Sequence, residues 1–258
     1  MYTTCPDQEQ LHASLRRYLE GDEVSRIGFD STRKCYTYKR SDGMTISYGG
    51  LLSKLRQCFY PFYKDSRRRG KTQKKGSSAK LGSRIDDEVA LVTASKLKKN
   101  KRNKTVAFHK MTVRLVKEIE QTLGHIFQCA QLPVRIRALE RITQADFLTL
   151  DPATGKLHMW ELKTGYTPGM YTTKGKGVFA SSYLKGVKCT KYGIWELQRY
   201  WTTRALIEAG LEIAESHVIN IYEDTKKKRL VVNIMDNLPW TSNLDEFGVQ
   251  PSKKRSKK

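Results

Sequence analysis

Two short runs in residues 145 to 165, ADFLTLDPATGKLHMWELKTG, carry residue types that can do chemistry together. Asp146 opens the first apolar run, and Glu161-Leu162-Lys163 ends the second. PATGK between them is a turn signal, so the two runs read as paired antiparallel strands. Side chains alternate along a strand, so Glu161 and Lys163 share one face and Leu162 points the other way, into a core. If the hairpin sets Asp146 beside Glu161, two carboxylates and an ammonium converge. Two carboxylates that close repel each other unless a cation separates them. Oxygen ligands suit magnesium or manganese. With Lys163 orienting a water near a phosphate, the group would be equipped to hydrolyse a phosphodiester. The bland alternative is a solvated strand face that happens to carry these charges.

Other segments extend the pattern. ISYGGLLSKLRQCFYPFY (46 to 63), LGSRIDDEV (81 to 89) and WELQRYWTTRALIEAG (195 to 210) occur in this order around the hairpin. Together with Asp146 and Glu161-Leu162-Lys163, they resemble the PD-(D/E)XK nuclease superfamily, in its RecB-like branch. Ser47, Leu51, Cys58, Phe59 and Phe62 stand where that branch has its S-x-S-x-L…C-P-x-x-F-Y segment, with Pro61 displaced. Gly82 and Ser83 match its G-T, and Asp86 takes the place of a metal-binding histidine. Gln198 matches the Q-x-x-x-Y helix, where Thr202 stands at the aromatic position and Tyr200 and Trp201 lie nearby. The likeness spans about residues 46 to 235. It departs at ITQAD, which lacks a glycine before the aspartate.

The resemblance implies a restriction-endonuclease-like α/β core, a mixed sheet flanked by helices. It implies metal ligands at Asp86, Asp146, Glu161 and the Leu162 backbone carbonyl, with Lys163 and Gln198 catalytic beside Asp146 and Glu161. Glu88 is the alternative to Asp86. The implied activity is metal-dependent cleavage of DNA, first as an exonuclease in recombination, repair or replication end processing. A structure-specific endonuclease of the Holliday-junction-resolvase kind is the same chemistry on another substrate geometry. A non-catalytic nucleic-acid-binding protein on a nuclease fold belongs to a different class, but binding alone needs no paired carboxylates. A helicase or recombinase is the partner such an enzyme would have.

The elements that must position these residues are readable in outline. DQEQLHASLRRYLEGD reads as a short helix ending at Gly21, and CYTYKRSDGMTISY as a hairpin with SDG as its turn. GGLLSKLRQCF follows as a helix, then SRRRGKTQKKGSSAKLG (66 to 82) as a basic linker. Residues 81 to 98 read as an amphipathic helix. In HKMTVRLVKEIEQTLG (109 to 124), Met111, Leu115, Ile119 and Leu123 recur every four residues and Gly124 is the stop. LPVRIRALE (132 to 140), QADFLTLD and LHMWELK read as strands. Residues 165 to 192 lack a regular pattern, and 193 to 209 read as a helix with Ile194, Leu197, Trp201 and Ala205 on its apolar face. SHVINIYED and RLVVNIM read as a closing strand pair around TKKK. We divide the chain into an N-terminal extension with basic linker (1 to 78), a core (79 to 240) and a basic tail (241 to 258).

Charge points to the partner. The chain has 258 residues, with 48 Lys and Arg against 26 Asp and Glu, a net charge of +22. Such an excess favours a polyanion, because Lys and Arg displace counterions from phosphates. The basic residues cluster at 64 to 76, 96 to 104, 226 to 229 and 253 to 258. We expect contacts to DNA, as double-stranded ends or single strands, from Lys71, Lys74, Lys75, Lys174 and Lys176. Tyr166, Tyr171 and Tyr200 are candidates to stack on bases. The five cysteines are scattered without CxxC spacing, so neither an iron–sulfur cluster nor zinc is expected. No run of 18 apolar residues predicts a membrane span, and MYTTCPDQEQ does not read as a secretory signal. The expected setting is intracellular, and nuclear in a eukaryotic or viral context given the tail PSKKRSKK.

Overall fold

The computed structural model describes residues 11–33, 35–52, 55, 77–95, 108–172 and 190–236. Long runs of β-branched and aromatic residues between Ile126 and Met235 pair into a five-stranded sheet in the order β4-β5-β6-β7-β8. These strands are β4 (Ile126–Ile136), β5 (Arg141–Asp151), β6 (Lys156–Thr164), β7 (Ile213–Asp224) and β8 (Arg229–Met235). Neighbours are antiparallel except β6 and β7, which run parallel. A parallel pair needs a long crossover. Its helical part is Lys191–Glu208, called α6 below. The molecule is thus a mixed α/β fold.

Helices cover both faces. On one side lie α3 (Ser77–Ser95) and α4 (Lys110–Lys117), whose Ile85, Val89, Met111 and Leu115 pack with Phe147, Trp160 and Leu162. On the other lie α1 (Ala13–Glu20) and α6, whose Leu15, Tyr18, Leu197 and Trp201 pack with Leu132, Val134, Leu148 and Met159. Two short helices are α2 (Asp22–Ser25) and α5 (Pro168–Thr172). A separate three-stranded antiparallel sheet joins β1 (Ile27–Asp30), β2 (Cys35–Lys39) and β3 (Thr45–Tyr48). It docks on the large sheet through Tyr38 and Tyr48 against Ile142, with the Arg135 guanidinium 4.2 Å above the Tyr38 ring.

Several boundaries differ from the sequence reading. Helix α3 begins at Ser77, inside the segment read as linker. Strand β4 begins at Ile126 and ends at Ile136, so it includes IFQCAQ, which was not read as strand, and RALE is not strand. Arg137–Leu139 form a 3₁₀ turn, and Glu140 adopts φ 49° to reverse the chain. Strand β1 and helix α5 were not expected. Helix α4 continues as a π turn at Glu118–Thr122 before Gly124, at φ 72°, stops it. A strict repeat of four drifts about 40° per step on a 3.6-residue turn. The wider π turn takes up part of that drift, and Ile119 stays fully buried. Of the expected helix 49 to 59, Leu51, Leu52 and Leu55 are helical, Gly49 and Gly50 are not, with Gly50 bridging to Ile142, and the rest lies outside the described residues. Among the described residues no helix is long and apolar enough to cross a membrane.

Candidate active site

The β5–β6 hairpin closes as the turn chemistry demands. Asp151 accepts from the Ala153 N–H (2.9 Å) and the Thr154 hydroxyl (2.7 Å), and Gly155 supplies φ 68°. The ladder runs from Asp151–Lys156 to Phe147–Trp160. One residue past that last pair come Asp146 on β5 and Glu161 on β6, whose carboxyls interact. The Leu162 N–H donates to Asp146 Oδ2 at 2.6 Å, which ties the aspartate to the next strand. Trp160 and Leu162 enter the core under α3. Glu161 and Lys163 alternate with them and face the α6 side, as their spacing predicted. The Lys163 ammonium donates to Glu161 Oε1. Glu161 is fully buried, and its Oε2 has no hydrogen-bond partner.

Asp86 joins this group from α3. Gly82, one turn earlier on the same helix face, sits so close to β6 that a Cβ would meet Thr164 Oγ1 at 3.2 Å. That close approach carries Asp86 into the field of Asp146 and Lys163. Burial, then the Asp146 charge, push the Asp86 carboxyl up to about 8 despite the opposing pull of Lys163. Glu161 is likewise pushed up to about 8, by burial first and by Asp146 second. Burial raises Asp146 too, against the lowering effect of Lys163 and the Leu162 N–H. For Lys163, burial pulls downward, but Glu161, Asp146 and Asp86 outweigh it and hold the ammonium above the ordinary lysine range. Three carboxyls thus crowd around one cation.

Glu88, the alternative to Asp86, is occupied elsewhere. Its Oε1 accepts from Arg84 Nε (2.7 Å), and its Oε2 from the His109 N–H (2.8 Å) and Thr112 Oγ1 (2.5 Å). It joins α3 to the start of α4. Gln198 lies in α6, on the same side of the sheet as Glu161. It is only 9% exposed, and its Oε1 has no partner. Tyr200 is half-buried, with its ring edge-on to Trp201 and its hydroxyl accepting from Arg204 at 3.1 Å. Tyr166 is half-buried, edge-on to Trp195 at 5.0 Å, with the Lys191 ammonium 4.7 Å from its ring centre. Lys71, Lys74, Lys75, Lys174 and Lys176 lie outside the described residues, as does the side chain of Tyr171.

Three residues at the site escaped the sequence reading. Tyr36 reaches it from β2. Its hydroxyl donates to Gln144 Oε1 at 3.3 Å, and burial together with the nearby Asp146 charge pushes it up to about 12. Gln144 donates to the Gln131 carbonyl at 2.8 Å, where Gln131 adopts φ 55° in β4. Asn220 is the parallel-strand neighbour of Lys163 and is fully buried. It donates to the Tyr166 carbonyl at 2.7 Å, while its Oδ1 has no partner. A lone amide inside the apolar run VINIY was the available signal for Asn220. No local signal marks Tyr36.

The donor set fits a hard divalent cation. Asp86, Asp146 and Glu161 offer carboxylate oxygens, and an unsatisfied buried oxygen such as Glu161 Oε2 is costly without a partner. A cation at these oxygens would relieve both the orphaned atom and the repulsion that raises the three carboxyls. Comparison with protein-family models, with curated proteins and with solved structures finds no match to this chain.

Proposed function

We propose that the protein is a metal-dependent deoxyribonuclease with a PD-(D/E)XK core, acting on DNA ends. The observation that carries this reading is the meeting of Asp86, Asp146, Glu161 and Lys163 from three elements around a buried carboxylate oxygen without a partner. A structural ion pair would need one acid for one base. Here three acids surround one lysine, at a cost that a binding protein has no reason to bear.

Asp86, Asp146 and Glu161 would hold magnesium or manganese. Such an ion supplies Lewis-acid polarisation of a phosphate and a more acidic water. The chain's own residues have distinct tasks. The Leu162 N–H fixes the Asp146 carboxylate, so its oxygens are preorganised. Lys163, held charged by its neighbours, offers ammonium protons to orient a water or to stabilise negative charge on the phosphate. Gln198 Oε1 is a spare acceptor on the same side of the sheet, suited to position that water. The net charge of +22 supplies the attraction for the nucleic-acid backbone.

Incubation with end-labelled linear DNA and with closed circular DNA tests the proposal, each with magnesium and with chelator. We expect loss of the label from linear DNA only with the metal. Asp146→Asn and Glu161→Gln should abolish cleavage while DNA binding is kept. Cleavage that persists in chelator, or at the wild-type rate in both variants, would refute the assignment. Nicking of the circle would redirect it to an endonuclease.

A further inference from the structure

A second cluster of metal-ligating groups lies further along the same pair of strands, on side chains that alternate with Glu161 and Lys163. His158 on β6 and Glu215 on β7 are register partners, as are Trp160 and His217 two positions on. The ladder slips between Leu157 and His158, so β7 carries one extra residue there. That irregularity aims Glu215 and His217 to the side of His158. His158 Nδ1 lies 3.4 Å from His217 Nε2. His217 Nε2 lies 3.3 Å from Glu215 Oε2, and His158 Nδ1 lies 4.0 Å from the same oxygen. The two imidazoles are stacked at 9°. Because His158 alternates with Glu161 and Lys163 along β6, its side chain leaves the strand on the side opposite to theirs.

We propose that His158, Glu215 and His217 form a zinc site that clamps the parallel β6–β7 pair. Zinc binds imidazole nitrogen at about 2.0–2.1 Å and carboxylate oxygen at about 2.0–2.2 Å, in a tetrahedron. The edges of that tetrahedron are about 3.3–3.5 Å long. Two of the three edges already have this length, and the third needs a shift of about half an ångström in the Glu215 side chain. Octahedral magnesium would need shorter edges, about 2.9 Å, and avoids imidazole. The Glu215 side chain is 62% exposed, which leaves an entry path and room for water as a fourth ligand.

A neighbouring group, His125, Asp151 and His158, is less suited. Asp151 already accepts from Ala153 and Thr154, and His125 Nδ1 pairs with Thr149 Oγ1 at 3.1 Å. His125 instead packs against His158, with ring centres 4.5 Å apart, and braces it. The cysteine pattern could not reveal a zinc site of this kind, because its ligands come from two strands separated by the whole α6 crossover. The proposal stands independently of the nuclease reading.

The test uses the full-length chain, stripped with chelator and titrated with zinc against a chromophoric competitor in excess magnesium. We expect one equivalent bound with sub-micromolar affinity and a rise in the unfolding temperature on binding. Cobalt substitution should give the strong visible absorption of a tetrahedral site. His217→Gln and Glu215→Gln should each weaken zinc binding about tenfold or more, whereas Asp146→Asn should leave it unchanged. Glu215 is exposed, so its variant reports on binding even if the His217 variant folds poorly. No zinc binding at micromolar concentrations would overturn the site. So would binding that survives both Glu215→Gln and His217→Gln, or that disappears in Asp146→Asn.

Discussion

Glu161→Gln should make the metal-free protein more stable above neutral pH while it abolishes cleavage. In the folded state Glu161 is pushed up from 4.5 to about 8. The folded chain therefore holds this proton more tightly than the unfolded chain does. The stability linked to it is fully present below about 4.5, declines as pH rises, and is lost once pH passes about 8. That span corresponds to roughly 5 kcal/mol at 1.36 kcal/mol per unit. Local relaxation and water entry reduce it, so we expect about 2–5 kcal/mol. For a chain of this size, each kcal/mol moves the unfolding temperature by about 2–4 °C. Thermal unfolding in chelator from pH 5 to 8.5 should show the wild type falling relative to the variant by about 5–15 °C. The comparison cancels the general effect of the +22 net charge, which both proteins share closely. At pH 8, magnesium should restore the wild type and leave Glu161→Gln little changed. Parallel pH profiles for the two proteins would refute the idea that a strained carboxyl sits at this position.

Other outcomes follow from the same geometry. Lys163→Ala should cut the cleavage rate by roughly 10² while DNA affinity barely moves. Lys226→Ala, on the β7–β8 turn, is the control, and equal losses would remove any catalytic role from Lys163. Asp86→Ala should raise the magnesium concentration needed for half-maximal activity by about tenfold or more, whereas unchanged metal dependence would leave Asp86 outside the site. Arg199→Met should destabilise the fold by about 3–5 kcal/mol, measured by denaturant titration, because it removes the charge and the two hydrogen bonds, at 3.0 and 3.1 Å, that Arg199 gives the fully buried Glu196 carboxylate.

The residues that make the hairpin were legible in the sequence because their information is local. PATGK sets the turn, and alternation puts Glu161 and Lys163 on one face and Leu162 on the other. Helix α6 and the strands β7 and β8 were legible for the same reason, since apolar periodicity reports which face of an element is buried. Strand β4 was located only in part. Its start, IFQCA, has no clean alternation, because the ladder slips between Phe127 and Cys129 and sets these two buried side chains in different cores. What the tertiary structure decided were meetings between distant elements. It set Asp86 near Asp146 and Lys163 because Gly82 lets α3 press against Thr164, while Arg84, His109 and Thr112 hold Glu88 elsewhere. It brought Tyr36 from a separate sheet to the edge of Asp146, and it set His158 beside His217 across the parallel pair. Alternation fixes the face on which a side chain stands. The residue it meets there depends on register, bulges and helix packing, which are properties of the whole folded chain.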